Sequence, residues 1–515
     1  MLDETEDRDV ATSCMIAMAK IGTDHADFRL VDVFAPRLAR ANQEVRETAA
    51  LAIGLSAIAG DRELDLLAGL ALDEAIGRKA CGGEVDVRTR AFALYGLGLT
   101  AHDVDNPSVK QRAFEVLRKA LADRSIAQRD VAVAAVTGLG LLHLDATDPV
   151  QSQLRGEVLA VLERFYLEPL GPADQLVQSH CPTAIARLVG RDEPIAAHYR
   201  ELFALDLAGK GPTKRSADDI GRSCALALGR LVRPYDDKNA AQCPDGVFSQ
   251  QLLGAFQHAK DRQTRFFALI ALGQIGGELN RAALLSAFDE AKSQKETERT
   301  WCALALGVLA NRGDAPDAMV VNTLGDAFEV AKTPQATASL GVALGLAKAT
   351  DRGDLVRKRM LEMRAQADVA GYLAIGLALM PDRRAVEDLR GLLPKATRMP
   401  QLLTQVAVAL GKLGDRGVTE ELQRILVDGE TNLAKLSAVA SALGFIGDRR
   451  TIKPLVAMMG DSSLHPLARA FAAAALGGVA DRHPLPWNAK IGIDCNYRAA
   501  VETLTGTATG VLDIL

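Results

Sequence analysis

One small-residue segment returns along the whole chain, and no other feature constrains the fold as much. It reads roughly Ala-x-Ala-Leu-Gly-x-(Ile/Leu/Val)-Gly. Clear copies are AALAIGLSAIAG from Ala49, RAFALYGLGL from Arg90, CALALGRLV from Cys224, ALIALGQIGG from Ala268 and CALALGVLA from Cys302. LGVALGLA from Leu340, LAIGLALM from Leu373, VAVALGKLG from Val406, VASALGFIG from Val439 and AAAALGGVA from Ala472 continue the series. Three degenerate copies start at Ile16, Val133 and Thr183. The Gly serves as a phase marker at 54, 96, 138, 229, 273, 307, 345, 376, 411, 444 and 477, with Ala19 and Arg187 in the same slot of the degenerate copies. Thirteen markers in 515 residues put one unit every ~40 residues, the size of a helix–turn–helix repeat.

Each unit also carries a more ordinary amphipathic helix. Examples are LVDVFAPRLARA from Leu30, SVKQRAFEVLRKALAD from Ser108 and QLRGEVLAVLERFY from Gln153. Apolar residues recur there at three and four, the period of one buried helical face. The Ala-rich helix is apolar on nearly all sides, which predicts an inner helix packed against its partner and both neighbours. Its Gly lets two helix backbones approach closely, outweighing a loss of about 1 kcal/mol in helix propensity. Gly414-Asp415-Arg416, Gly447-Asp448-Arg449, Ala480-Asp481-Arg482 and the early variant Gly60-Asp61-Arg62 punctuate the units. A Gly past one helix end can turn left-handed and the Asp can cap the next helix.

With Val45-Arg46 before Gly54 and Val87-Arg88 before Gly96, the pattern Val-Arg-x-x-Ala-Ala-x-Ala-Leu-Gly followed by (Ile/Leu)-Gly-Asp-x-Arg resembles the HEAT repeat, in particular the subtype of phycobilisome lyases. Arg265 before Gly273 and Arg299 before Gly307 hold the same slot, eight residues upstream of the marker. The resemblance covers nearly the whole chain. It implies an all-α fold: a right-handed α-solenoid, or superhelix, of about 12–13 HEAT-like helical hairpins. It says little about activity, because unrelated functions share that scaffold.

Loop lengths suggest a division into residues 1–250, with long additions at 167–182, 209–219 and 233–246, and 251–482, with short regular units. Residues 483–515 abandon the repeat; with Trp487, Tyr497 and a short helix expected at Tyr497–Leu504, they read as a C-terminal cap over the last helix pair. The N-terminus starts almost directly at an inner helix, as though an outer partner were missing and the chain had been trimmed from something longer.

Composition narrows the function. Aromatic residues are only 4% of the chain against 44 Gly, which fits close-packed Ala/Leu helices better than one large globular core. Lys plus Arg is 60 and Asp plus Glu 65, so the net charge of −5 argues against nucleic acid as the partner. No run of 18 apolar residues predicts a membrane span, and the acidic start MLDETEDRDV is unlike a signal peptide. Seven cysteines (14, 81, 181, 224, 243, 302, 495) form no CxxC pair, so a reducing, cytoplasmic compartment is the simpler reading.

Little chemistry is legible. Cys14, Cys224 and Cys302 lie five residues before the marker, where other units have Ala49, Ala91, Val133, Ala268 and Ala472, which makes them core residues. Cys181, beside His180, and Cys243 are read as loop thiols. None of the eight histidines precedes Glu, so the His-Glu pairs of HEAT-type iron hydroxylases are missing. His102-Asp103 and His143 with Asp145 follow two GLGL segments; an Asp capping the next helix explains them more simply than a metal. The basic residues Lys210, Lys214, Arg215, Arg222, Arg230 and Arg233 read as a solvated edge.

No catalytic, cofactor or metal site is assigned, and the chain is not expected to be an enzyme. The row Arg46, Arg88, Arg265 and Arg299 has two readings: an inter-repeat ladder bonded to Asp or Glu of the adjoining turn, or a surface that meets an acidic peptide or phosphate. The functional expectation is a scaffold or adaptor that binds a protein or extended peptide along the inner helices, through their N-terminal residues and the 140–250 loops. The alternative is a lyase-like or chaperone-type accessory protein for a cofactor-bearing client.

Overall fold

The computed structural model describes residues 5–123, 129–212, 218–235, 244–291, 295–396, 398–415, 417–427, 432–481, 502–505 and 511. Among these the secondary structure is helical throughout, with no strand. Each of the thirteen phase markers lies in its own helix. These inner helices are α1 (Arg8–Ile21), α2 (Gln43–Leu55), α3 (Val87–Asp103), α4 (Arg129–Leu141), α5 (Cys181–Leu188), α6 (Asp218–Leu231) and α7 (Arg262–Ile275). The series continues with α8 (Glu296–Asn311), α9 (Pro334–Leu346), α10 (Ala367–Leu379), α11 (Pro400–Lys412), α12 (Leu433–Ile446) and α13 (Pro466–Ala480). A short helix, α14 (Glu502–Thr505), follows near the C-terminus. Between consecutive inner helices runs an outer helix, such as Pro107–Ala122 or Ala318–Glu329. The fold is an α-solenoid of HEAT-like hairpins.

Burial separates the two helix types as their patterns require. Every residue of α3 from Thr89 to Ala101 is buried. In the outer helix Pro107–Ala122, burial follows a stripe of Val109, Ala113, Phe114, Val116, Leu117, Ala120 and Leu121. The marker glycines are close-approach positions: a Cβ on Gly54 would lie 2.2 Å from the Cα of Gly96, and one on Gly345 would lie 2.4 Å from the carbonyl oxygen of Gly376. At Gly447 the backbone is left-handed (φ +67°), and Asp448 accepts the amide of Arg450 at 2.9 Å, so one residue ends a helix and the next caps the following turn.

By compactness the chain falls into two units, residues 1–227 with 458–515, and residues 228–457. In the second unit α7 to α12 pack each on the next in chain order. In the first, α1 to α5 do the same, and one long-range neighbour joins them: α13 packs along the open side of α1. Val10 and Cys14 meet Ala470 and Ala473 there, and Lys20 pairs with Asp481 at 3.3 Å. A Cβ on Gly477 would lie 2.9 Å from the Cα of Ala17, so the marker-to-small-residue approach of the other inner helices recurs here. The inner helix that opens the chain thus has an inner-helix neighbour on both sides.

Several local expectations are corrected. LVDVFAPRLARA is helical only over Leu30–Phe34 and tightens to a 3-10 turn at Ala35–Ala39, where Pro36 offers no amide to an α-helical ladder. The addition at 167–182 contains a further helix, Pro172–Gln178. Cys181 is not in a loop: it begins α5, where Pro182 favours a helix start, and is fully buried. Gly60 is not left-handed; it is the N-cap position itself, and Asp61 lies in the first helical turn. Of the C-terminal segment the described helix α14 packs on α3 and α4. Trp487 and Tyr497 lie outside the described residues, as do Cys243, Cys495, Lys214 and Arg215.

Candidate functional site

The slot eight residues before the marker holds Arg46, Arg88, Arg265, Arg299 and, unrecognised in the sequence reading, Arg469 and Asp130. Most of its arginines serve the stack. A helix ends with carbonyls that have no partner within it, and these guanidinium groups reach back to them. Arg46 donates to the carbonyls of Arg40 and Ala41 at 2.9 and 2.8 Å. Arg265 donates to Phe256 at 2.7 Å, and Arg469 to Met459 at 2.9 Å. The same groups tie neighbouring units sideways, Arg46 to Asp86 at 3.3 Å and Arg265 to Glu298 at 2.8 Å. Arg299 lies over the ring of Phe288, 4.4 Å from its centroid.

Arg88 and Asp130 differ. They are consecutive rungs of the row, each the second residue of its helix, and they carry opposite charge. Arg88 forms a bidentate pair with Glu47 of α2, at 2.7 and 2.9 Å. Glu47 is only 2% exposed; burial pushes its pKa up, and Arg88 opposes that push. The remaining face of the guanidinium meets Glu502 of α14 at 3.1 Å. Asp130 accepts both the backbone amide of Thr503, at 3.0 Å, and its hydroxyl, at 2.6 Å. Thr503 is fully buried, Leu504 is 3% exposed and Val511 is fully buried. Beneath them the phenol of Tyr95, which burial pushes far above its ordinary pKa, has Thr503 and Asp130 as polar neighbours. The first turns of α3 and α4 therefore hold a Glu-Thr-Leu stretch of the chain's own C-terminal region.

Elsewhere polar groups have structural duties. Asn106 and Asp148 cap the helices after the two GLGL segments. His102 bonds the carbonyl of Leu141 at 3.1 Å, with the ring of His143 5.7 Å away. Burial pushes the thiols of Cys14 and Cys302 up to about 11 and about 12, away from nucleophilic character. Cys224 sits 3.3 Å from the hydroxyl of Tyr166, which donates to Asp206 at 2.6 Å. Arg233 pairs with the buried Asp245 at 3.1 Å. Among the described residues no group of three or more His, Cys, Asp or Glu is placed to hold a metal ion, and no helix is long and apolar enough to cross a membrane.

No family model matches the chain, and no curated protein matches it in sequence. Solved structures do match. The karyopherin Kap121p bound to the SUMO protease Ulp1p aligns with 92% of this chain and 54% of its own length, at 12% identity and a TM-score of 0.39. Kap121p bound to Pho4p aligns with 91% and 54%, at 13% identity and a TM-score of 0.37. Human deoxyhypusine hydroxylase aligns with 62% of this chain and 96% of its own, at 18% identity and a TM-score of 0.23. The chain spans about half the length of the karyopherin chains.

Proposed function

We propose that the protein is a non-enzymatic scaffold that binds a protein or an extended peptide across the first turns of its inner helices. The observation that carries this reading is the seat of Glu502–Thr505 on α3 and α4. There the row offers charge-assisted hydrogen bonds to a backbone amide and a hydroxyl and an arginine for a carboxylate, and a leucine is buried beside them. Within the row Arg88 meets the carboxylate of Glu502, while Arg46 and Arg265 pair with Asp86 and Glu298 of neighbouring units. Repeats that expose the same helix turns side by side suit such binding.

Affinity capture of the full chain followed by mass spectrometry tests the reading. Expected is a partner protein in near-stoichiometric amount that is weakened at least tenfold when Asp130→Arg alters the row. Capture of no stoichiometric protein, or capture indifferent to the row, overturns it. A lyase-like role would demand a pocket with reactive groups. The groove between the outer helices Pro107–Ala122 and Pro149–Leu167 is lined by Arg118, Leu121, Val161, Arg164, Phe165 and Glu168, which supply no thiol, hydroxyl or imidazole.

A further inference from the structure

The seat of α14 has a consequence for how the scaffold would be used. Four observations converge on it, all within one compact unit. Arg88 already has a full bidentate partner in Glu47, so Glu502, whose side chain is 75% exposed, is a second and more weakly held carboxylate. Asp130, in contrast, makes two bonds to a single residue, and both donors belong to Thr503. Leu504 loses nearly all its exposure. The 21 residues 481–501 separate α13 from α14 in sequence, so the occupant is a distant part of the chain and not a neighbouring turn of the repeat.

Resting on the peptide-scaffold reading, we infer that this face recognises a partner segment of the form acidic residue–Thr or Ser–Leu, and that Glu502-Thr503-Leu504 is an internal competitor for it. The chemistry sets the triplet. The hydroxyl must donate to Asp130, which accepts only, so Thr or Ser fits and Val does not. The leucine is the position that is almost wholly buried, which selects an apolar side chain. The acidic residue is selected by Arg88, at the exposed rim, where charge steers and discriminates more than it binds. A tethered occupant acts at an effective concentration of about millimolar. A free peptide with the same contacts is therefore held off, and a partner wins by adding contacts along neighbouring inner helices. The scaffold is then self-covered until a larger ligand displaces its own tail.

The test uses the full chain and a fluorescent synthetic peptide of residues 499–508, AAVETLTGTA. Leu504→Asp, a change in the tail and not in the face, should release the segment. By competition with a tethered ligand, the released chain should bind the probe at least tenfold more tightly than the unaltered one. On the released chain, a peptide with Lys in place of the Glu, or Val in place of the Thr, should lose at least tenfold. Adding Asp130→Asn to the released chain should cost a similar factor, with a thermal melt confirming that the stack remains folded. Equal affinity of the released and unaltered chains, no probe binding to either, or indifference to the peptide substitutions overturns the inference. The broader reading fails separately: it falls when neither chain captures a stoichiometric protein, and it survives when both capture one equally.

Discussion

Arg88 in the first compact unit and Arg265 in the second occupy the same register of the repeat, eight residues before a glycine, yet their surroundings diverge. Arg265 closes the end of an outer helix through the carbonyl of Phe256 and shares Glu298, 17% exposed, with Lys295. At Arg88 the corresponding outer-helix carbonyl, that of Ala71, is taken by Arg90 at 3.0 Å. Arg88 instead answers a carboxylate that is 2% exposed and faces the tail. A second contrast runs alongside. In the second unit the inner helices α7 and α8 carry Phe267 and Trp301, both half-buried; Trp301 stacks on Phe266 and meets Phe267 edge-on. In α1 to α4 of the first unit the same slot, six residues before the marker, holds Ser13, Thr48, Arg90 and Ala132, none of them aromatic. One repeat geometry supports both because the residues around the slot, and not its backbone, decide what the arginine does.

The sharpest way to break this comparison is to remove the two arginines in turn. Arg88→Leu leaves the Glu47 carboxylate buried without its cation and should cost on the order of 4 kcal/mol. Arg265→Leu leaves a carboxylate with Lys295 still 3.6 Å away and should cost about 1 kcal/mol. Denaturant titrations of both variants measure the difference. The pH course gives the sign. Burial already holds the Glu47 pKa above the ordinary value, and losing Arg88 raises it further. The deficit of Arg88→Leu is therefore full above that raised value. It closes as the pH falls through the raised folded value of the unaltered protein, below which Glu47 is protonated in both folded chains. A deficit independent of pH would mean that lost packing, not the carboxylate, sets the cost.

Acid should also separate the units. His180, in the first unit, is buried, and desolvation pushes its pKa down to about 4. An unfolded histidine titrates near 6.5, so between those values the unfolded chain takes up a proton that the folded one refuses. Stability present above pH ~6.5 is then lost as the pH falls toward 4, by about 3 kcal/mol from this group. The second unit's histidine, His258, is exposed. Hydrogen exchange at pH 4.5 should accordingly quicken around α5 before it does along α7 to α12, and His180→Gln should flatten that response. Equal acceleration in both units would assign acid sensitivity elsewhere.

How much of this could be read from the chain follows from the range of each interaction. Eleven of the thirteen inner helices carry a glycine at the marker, and they were legible because at several of them that glycine is a point of close backbone approach, as between Gly54 and Gly96. The arginine row was legible for the same reason, since its spacing repeats. Asp130 occupies that spacing too and was overlooked because its charge is reversed; aligning the slot rather than the residue type finds it. Nothing local foretold the two long-range contacts. The packing of α13 on α1 pairs surfaces more than 400 positions apart, hinted at only by an inner helix without a preceding partner. The seat of α14 depends on a tripeptide, Glu-Thr-Leu, too short to carry a pattern of its own.

Glycines give the smallest effects and the cleanest contrast, because their sign can be forecast from space alone. At Gly54 an added Cβ would meet the backbone of Gly96, and the two helices would have to part, so Gly54→Ala should destabilise by about 2 kcal/mol. Gly345→Ala, facing the carbonyl of Gly376 in the other unit, should cost a similar amount, because the close approach is common to both. At Gly156, mid-way along the exposed side of an outer helix, a Cβ meets nothing within 4 Å. There only helix propensity and unfolded-chain entropy count, and Gly156→Ala should stabilise by about 0.5–1 kcal/mol. Three melting curves decide the matter. If Gly54→Ala were neutral, the inner helices would not be held at glycine distance, and the spacing of the repeat would have to come from the outer helices instead.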